Sequence, residues 1–293
     1  MKELPIIFIF DLDNTFIGDG IPLAYYVDFI AYIKIALKTK KININTKVKL
    51  PSYSQILNRI PYEYYRPGLG DMLTKIKELF PTAEFFIYSA GTKYYVDYNI
   101  KYIEKTFNVH FNRPLFTRDD CVYDERNYTT KSIISIYPRI FKALVSKYPL
   151  LNDAQIQNEI INNRNVIIDN NDVIWDDKNK WIKCPDYNYK SVIDFTQYIP
   201  KEILTHPLII EYMKNKKLSF VDSPNLLESE RELMYHTFMA NQNSIAIATN
   251  LESSKDNFFP LFIKTLKALK INKLKMPFSN KQLDKIRNSL SST

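Results

Sequence analysis

Scarcity is informative here before abundance is. The 293-residue chain holds 2 cysteines, 3 histidines and 5 glycines. Cys121 and Cys184 cannot build a disulfide framework or a zinc site, which points to a reducing, intracellular compartment, cytoplasmic or nuclear, and away from secretion. His110, His206 and His236 are scattered and fit neither a triad nor a ligand spacing, so no histidine-centred chemistry is expected. No long hydrophobic run is present. The apolar stretch after Met1-Lys2-Glu3-Leu4-Pro5 stops at Asp11, too short to span a membrane and without a small-residue cleavage site behind it, so it reads as a buried strand. Glycine and alanine are scarce while Ile, Asn, Lys and Tyr are over-used, a compositional bias that points to no mechanism. Internal repeats and long low-complexity linkers are also missing.

What remains is a chain able to fold. Hydrophobic residues at 45% with Tyr 21 and Phe 18 supply a sizeable core and argue against disorder. Lys+Arg 40 against Asp+Glu 32 gives a formal charge of +8, which favours acidic or phosphorylated partners. The runs Lys38-Thr39-Lys40-Lys41 and Lys214-Asn215-Lys216-Lys217 are too short to be a nucleic-acid signature, and the plainer reading is a solvated basic surface. Oligomeric state is left open by the sequence.

Three short β-branched and aromatic runs each end in polar residues: Ile6-Ile7-Phe8-Ile9-Phe10 before Asp11, Glu84-Phe85-Phe86-Ile87-Tyr88 before Ser89, and Asn165-Val166-Ile167-Ile168 before Asp169. Continuous runs of this length suit strands buried on both faces of a parallel sheet. Helical-period segments lie between them, at 70–80, 93–105 and 130–147, so the expected class is α/β with right-handed crossovers. Ligands on such sheets bind beyond the carboxyl ends of the strands, where all three runs deliver their polar residues. About fifty residues separate Asp13 from Arg66 and must leave the sheet and return, an insertion or cap with a turn at Gly18-Asp19-Gly20 and a helix over 24–37. Beyond residue 200 the segments 226–239, 258–269 and 280–290 read as helices. The expected division is therefore 1–200 for the sheet domain and 201–293 for a mostly helical extension. The basic amphipathic stretch 258–275 suits a helix that packs back on the domain better than one that seeks a membrane.

The chemistry concentrates in Asp11-Leu12-Asp13-Asn14-Thr15, directly after the first strand. Two carboxylates two residues apart project to one side of an extended chain. They repel unless one is protonated or a cation sits beside them. Hard oxygen ligands beside a phosphate suit Mg²⁺. In that reading Asp11 attacks phosphorus, while Asp13 protonates the leaving oxygen and later activates water. The competing reading is a strand-ending turn in which Asp and Asn merely cap.

The Asp-x-Asp-x-Thr motif resembles the first signature of the haloacid dehalogenase superfamily. More narrowly, the chain resembles the phosphatases that act on the C-terminal domain of RNA polymerase II. Arg66-Pro67-Gly68-Leu69 is similar to their Arg-Pro segment, and Ile87-Tyr88-Ser89-Ala90 to their second motif. Leu115-Phe116-Thr117-Arg118 with Cys121 and Asn127-Tyr128 resembles the approach to their motif lysine, for which Lys131 is the candidate. Ile168-Asp169-Asn170 resembles the pair that completes their metal site, and the stretch from Asp172 to Trp175 is similar to the segment that comes after that pair. The resemblance runs from residue 6 to about 185 in order and implies a Rossmann-like parallel sheet. It implies that Mg²⁺ is held by the Asp11 carboxylate, the Asp13 main-chain carbonyl and the Asn170 side chain. Ser89, Lys131 and Arg118 would bind the phosphoryl group, and Asp169 would order a metal-bound water. The implied substrate is phosphoserine or phosphothreonine in a protein or peptide. Two alternatives stay open: a phosphatase for a small molecule or nucleic-acid end, and a non-catalytic binding module like that of a mitochondrial translocase subunit. Retention of both Asp11 and Asp13 argues against the latter. No second half resembling that of the larger polymerase phosphatase is recognisable.

Overall fold

The computed structural model describes residues 4–19, 21–43, 48–52, 55, 61–123, 125, 129–174, 176–190, 199–215 and 249–291. The helix expected over 226–239, and Gly20, Asn127, Tyr128, Trp175, Lys216, Lys217 and His236, lie outside the described residues.

In chain order the elements are β1 (Ile6–Phe10), α1 (Ile21–Lys38), α2 (Leu69–Leu79), β2 (Ala83–Ile87), α3 (Lys93–Phe107), β3 (Val122–Tyr123), β4 (Thr129–Thr130), α4 (Ile133–Leu144), α5 (Ala154–Asn163), β5 (Asn165–Asp169), β6 (Trp181–Lys183), α6 (Lys201–Leu204), α7 (Pro207–Asn215), α8 (Phe258–Ala268) and α9 (Asn280–Ser291). Four strands form one parallel sheet in the order β2-β1-β5-β6. The register sets Phe10 beside both Ile87 and Ile168, so β1, β2 and β5 end at one edge and release Asp11, Ser89 and Asp169 there. Every residue of these three strands is buried, as the continuous apolar runs require.

The pleat divides the core in two. Ile7, Ile9, Phe86 and Ile167 pack with Ile133, Ile136, Ile140 and Ile160 on one face, which α4 and α5 cover. On the other, Phe8 meets Phe85 edge-on at 6.0 Å and Phe278 at 5.3 Å, while Phe10 lies 4.8 Å from Phe16, and Phe16 lies 5.9 Å from Phe259. The C-terminal helices thus supply part of this second layer. Hydrogen bonds fix the same segment: Phe278 N to Asn163 O at 2.9 Å, Arg164 Nη1 to Lys275 O at 3.1 Å, and Arg287 Nε to Trp181 O at 2.9 Å.

The chain forms two compact units. The first comprises 1–18, 65–187 and 255–293, and contains the whole four-stranded sheet; the second comprises 19–64 and 188–254. The units interleave along the chain, and the boundary expected at residue 200 falls inside the second of them. In that second unit α1 spans the helix expected over 24–37, and Tyr32 stacks on Tyr212 of α7 at 4.1 Å. Asp19 N donates to Tyr189 O at 2.8 Å, and Asn250 brackets Lys190 through both of its main-chain groups, which joins the two segments of this unit.

Helices α2 and α3 fall where the 3.6-residue period places them. Helix α4 is shorter than the expected 130–147, because Thr129 and Thr130 pair with Tyr123 and Val122, Lys131 bridges to Ile174, and Ser132 caps the helix through Ser135 N. Among the described residues no helix is long and apolar enough to cross a membrane.

Candidate active site

The residues after β1 form a tight loop. Asp11 N donates to Ile168 O at 3.0 Å, continuing the β1–β5 ladder by one step, and Phe16 N closes back on Leu12 O at 2.8 Å. Asn14 takes the turn with a φ of 56°, a left-handed conformation that asparagine tolerates better than most residues. Tyr187 locks it there: its N–H donates to Asn14 O at 2.8 Å, and Asn14 Nδ2 donates to Tyr187 O at 3.2 Å. Buried Thr15 reaches the last motif, giving its hydroxyl proton to Asn170 Oδ1 at 3.0 Å and accepting from Asn170 N at 3.2 Å.

Lys131 organises the charge. Its Nζ donates to Asp11 Oδ1 at 2.6 Å and to Asp169 Oδ2 at 2.7 Å, with all three side chains almost wholly out of water. The lysine is aimed by its backbone, whose N–H donates to Val173 O at 2.7 Å, and by the helix that begins two residues later. Asp176 caps that helix, accepting from Ser132 Oγ at 2.6 Å, Ile133 N at 2.7 Å and Ile134 N at 3.3 Å. Burial alone pulls the ammonium down, but the carboxylates of Asp11 and Asp169 outweigh it and hold Lys131 above its ordinary value. Burial lifts the Asp11 carboxyl to about 7; Lys131 opposes that rise, while Asp169 and Asp13 add to it. Three carboxylates therefore answer to one ammonium, and the site is short of positive charge.

Asp13 lies on the same side of the loop. Ser89 Oγ donates to its Oδ2 at 3.4 Å and Tyr95 Oη to its Oδ1 at 2.5 Å. Ser89 sits on the turn that continues β2, where its N–H donates to Phe116 O at 3.0 Å and its Oγ accepts from Gly91 N at 3.0 Å. Arg118 clasps this turn, Nε to Ala90 O at 2.8 Å and backbone N to Gly91 O at 2.8 Å. Among the described residues Arg118 makes no bond to Asp11, Asp13 or Asp169, so it borders the cluster through the turn.

Asp11, Asp13, Ser89, Lys131, Asp169 and Asn170 are thus brought to one sheet edge from positions up to 159 residues apart. Asn170 is oriented from both sides, by Thr15 on its Oδ1 and by Asp186, which accepts from Nδ2 at 2.9 Å. The Asp11 carboxylate, the Asp13 main-chain carbonyl and the Asn170 amide oxygen are hard donors that fit Mg²⁺, and a divalent cation is what the carboxylate excess calls for. Among the described residues no group of three His, Cys, Asp or Glu side chains is placed to hold a metal.

Tyr95 and Asp256 carried no sequence signal of their own, and Arg66 carried only that of its Arg-Pro segment. Tyr95 lies within the helical-period segment 93–105. Arg66 is fully buried, donating to Thr15 O at 3.3 Å and Pro185 O at 2.8 Å, and its partner Asp256 lies 190 residues away. The Arg66-Pro67-Gly68 string marked the arginine without revealing this role.

The parallel sheet with a charged cluster at its strand ends is of the haloacid dehalogenase type. The family model described as NLI interacting factor-like phosphatase matches residues 6–200, and the chain belongs to that family. Among solved structures it is similar to a fission yeast RNA polymerase II CTD phosphatase, an arginine-to-alanine variant of Fcp1 bound to beryllium fluoride. That match has 19% identity and a TM-score of 0.42, covering 92% of this chain and 62% of the other. A second structure, described as Fcp1, an essential RNA polymerase II CTD phosphatase, matches at 17% identity and a TM-score of 0.34, covering 92% and 67%. The chain thus spans less than two thirds of the first of these proteins. No curated protein matches it significantly.

Proposed function

We propose that this chain is a Mg²⁺-dependent phosphoric monoester hydrolase that works through an aspartyl-phosphate on Asp11, with phosphoserine or phosphothreonine in an extended protein segment as substrate. The observation that carries the reading is the buried Lys131 bridge between Asp11 and Asp169, with Asp13 and Ser89 beside it. A lysine held between two carboxylates draws the Asp11 carboxyl toward its ionised form, against the burial that raises it, and remains available to offset the charge of an arriving phosphoryl group. Asp11 attacks phosphorus and the ester bond to the leaving oxygen breaks. Asp13 delivers a proton to that oxygen, then takes one from the water that hydrolyses the acyl phosphate.

Ser89 and Lys131 would bind the phosphoryl oxygens, with Arg118 reaching them from the edge of the Ser89–Gly91 turn. Mg²⁺ would be held by Asp11, the Asp13 carbonyl and Asn170, with Asp169 ordering its water; when bound it supplies charge neutralisation of the transferring group. A segment of the RNA polymerase II C-terminal domain is the substrate that the family resemblance favours, which would place the protein inside the cell. The deciding experiment is a phosphopeptide panel assayed beside p-nitrophenyl phosphate, with and without Mg²⁺. Turnover of phosphoserine or phosphothreonine peptides only with the metal is the expected result. Turnover of small phosphates or nucleic-acid ends alone would move the substrate class, and no turnover of any ester would leave a binding module.

A further inference from the structure

An acid–base aspartate must present its carboxyl to the leaving oxygen at hydrogen-bond distance, yet a loop aspartate can swing about its first side-chain torsion. Asp13 is held against that swing by two hydroxyls of unequal grip. Ser89 Oγ stands 3.4 Å from Oδ2, at the outer limit of a hydrogen bond, and also accepts from Gly91 N at 3.0 Å. Tyr95 Oη donates to Oδ1 at 2.5 Å.

Tyr95 is well placed for this. It lies in the first turn of α3, whose N-cap is Thr92, and its carbonyl accepts from the buried Asn99 Nδ2 at 2.9 Å. Its ring passes over the Ser89–Gly91 turn so closely that a Cβ on residue 91 would come within 2.9 Å of Tyr95 Cδ1 and 3.2 Å of Ser89 Oγ. Glycine at 91 is therefore what lets the ring reach Asp13. Serine, glycine and tyrosine form one surface around a single carboxylate.

We propose that Tyr95 is a positioning residue for Asp13, holding the carboxyl in the rotamer from which it protonates the leaving oxygen; this rests on the acid–base role of Asp13 in the proposed phosphatase. Tyr95 fixes the direction of the carboxyl through Oδ1, while Ser89 meets Oδ2 more weakly.

The test is a series of substituted phenyl phosphates, from phenyl to p-nitrophenyl, assayed with the wild type, Tyr95→Phe, Asp13→Asn and the double variant. A poorly held acid matters most where the leaving oxygen most needs a proton. Tyr95→Phe is expected to lower kcat/KM on phenyl phosphate by about 10- to 100-fold, the loss of one hydrogen bond to a charged group, and on p-nitrophenyl phosphate far less. In the Asp13→Asn background the same change should alter the rate by less than about twofold, the limit within which non-interacting effects are resolved. Unchanged urea midpoints for Tyr95→Phe would accompany this pattern. A uniform loss across the series, or an equal loss with and without the Asp13 carboxyl, would overturn the assignment while leaving the phosphatase standing. A wild type that turns over no ester would remove the proposed function and this inference with it.

Discussion

Removing the Asp256 carboxylate should destabilise the protein far more than its separation of 190 residues from Arg66 suggests. Its partner Arg66 is excluded from solvent, and Asp256 keeps only 11% of its side-chain exposure. The two form a fork, with Arg66 Nε to Oδ1 at 2.9 Å and Nη2 to Oδ2 at 2.6 Å. In Asp256→Ala the guanidinium stays charged, because arginine does not deprotonate in proteins. It would be left among Phe258, Phe259 and Tyr187, whose ring centroids lie 5.1, 5.3 and 5.8 Å from it. Breaking a buried pair from one side costs about 3–5 kcal/mol. The rings already face the guanidinium in the wild type, so they offset none of this, and a loss of about 3–5 kcal/mol is expected. Urea denaturation read by intrinsic tryptophan and tyrosine fluorescence measures it, as a lowered midpoint at unchanged slope. A second variant, Arg66→Met with Asp256→Leu, removes both charges and should recover part of the loss. It should not recover all, because the carbonyls of Thr15 and Pro185 lose their donor. A loss below about 1 kcal/mol in Asp256→Ala, the range of exposed pairs, would refute the reasoning.

Other outcomes are expected of the charged cluster. Asp11→Asn should abolish turnover with the fold retained, since an amide of the same shape cannot attack phosphorus; hydrolysis near the wild-type rate would sink the nucleophile assignment. The same variant isolates a pH effect in metal-free protein. Asp11 ionises near its ordinary value of 3.8 when unfolded and at about 7 when folded, so its stabilising contribution is complete at low pH and lost as pH rises through that window. The urea midpoint of the wild type should accordingly fall relative to Asp11→Asn across the window, and Mg²⁺ should shrink the difference. Excess chelator should abolish activity and Mg²⁺ restore it, whereas full activity in chelator would exclude the proposed metal site. Asp176→Ala removes the carboxylate that caps α4 and should cost about 1–2 kcal/mol, with a drop in kcat because Lys131 is the residue next to the cap; a stability loss with kcat intact would separate the cap from the lysine.

The sheet was legible because its central strands are buried on both faces and so carry nearly continuous apolar runs: Ile6–Phe10, Phe85–Tyr88 and Val166–Ile168 announce themselves. Strand β6 did not, being three residues long at the edge of the sheet, with Trp181 half-buried and Lys183 exposed. Helix α5 was also missed, although Asp153 caps it through Gln155 N and Ile156 N, because a polar segment with Ile160 as its one buried residue gives a weak period. The motif residues were legible for a different reason. Each comes directly after a strand or beside one, and a parallel sheet gathers what its strands release at one edge.

Periodicity tells which face of a helix is apolar but not what that face covers, and this limit decides how the C-terminal segment should be understood. Phe258, Phe259, Phe262 and Leu266 of α8 are buried, and Phe278 between α8 and α9 packs edge-on against Phe8 in the middle of β1. Phe8 would lose that partner if the chain stopped at residue 200, the end of the region matched by the family model. Arg66 would simultaneously lose Asp256, and Lys180, which donates to Asn280 Oδ1 at 3.0 Å, would lose an acceptor. Burying an aromatic side chain is worth about 1.5–3 kcal/mol, so baring one face of Phe8 and leaving a charge without its partner would together take up much of a domain's margin of about 5–15 kcal/mol. A motif-bearing region and a folding region are set by different physics: the first by which residues meet at the strand ends, the second by which surfaces must leave water together. In this chain the second extends to α9, and the segment that carries no motif is what closes the layer beneath the one that does.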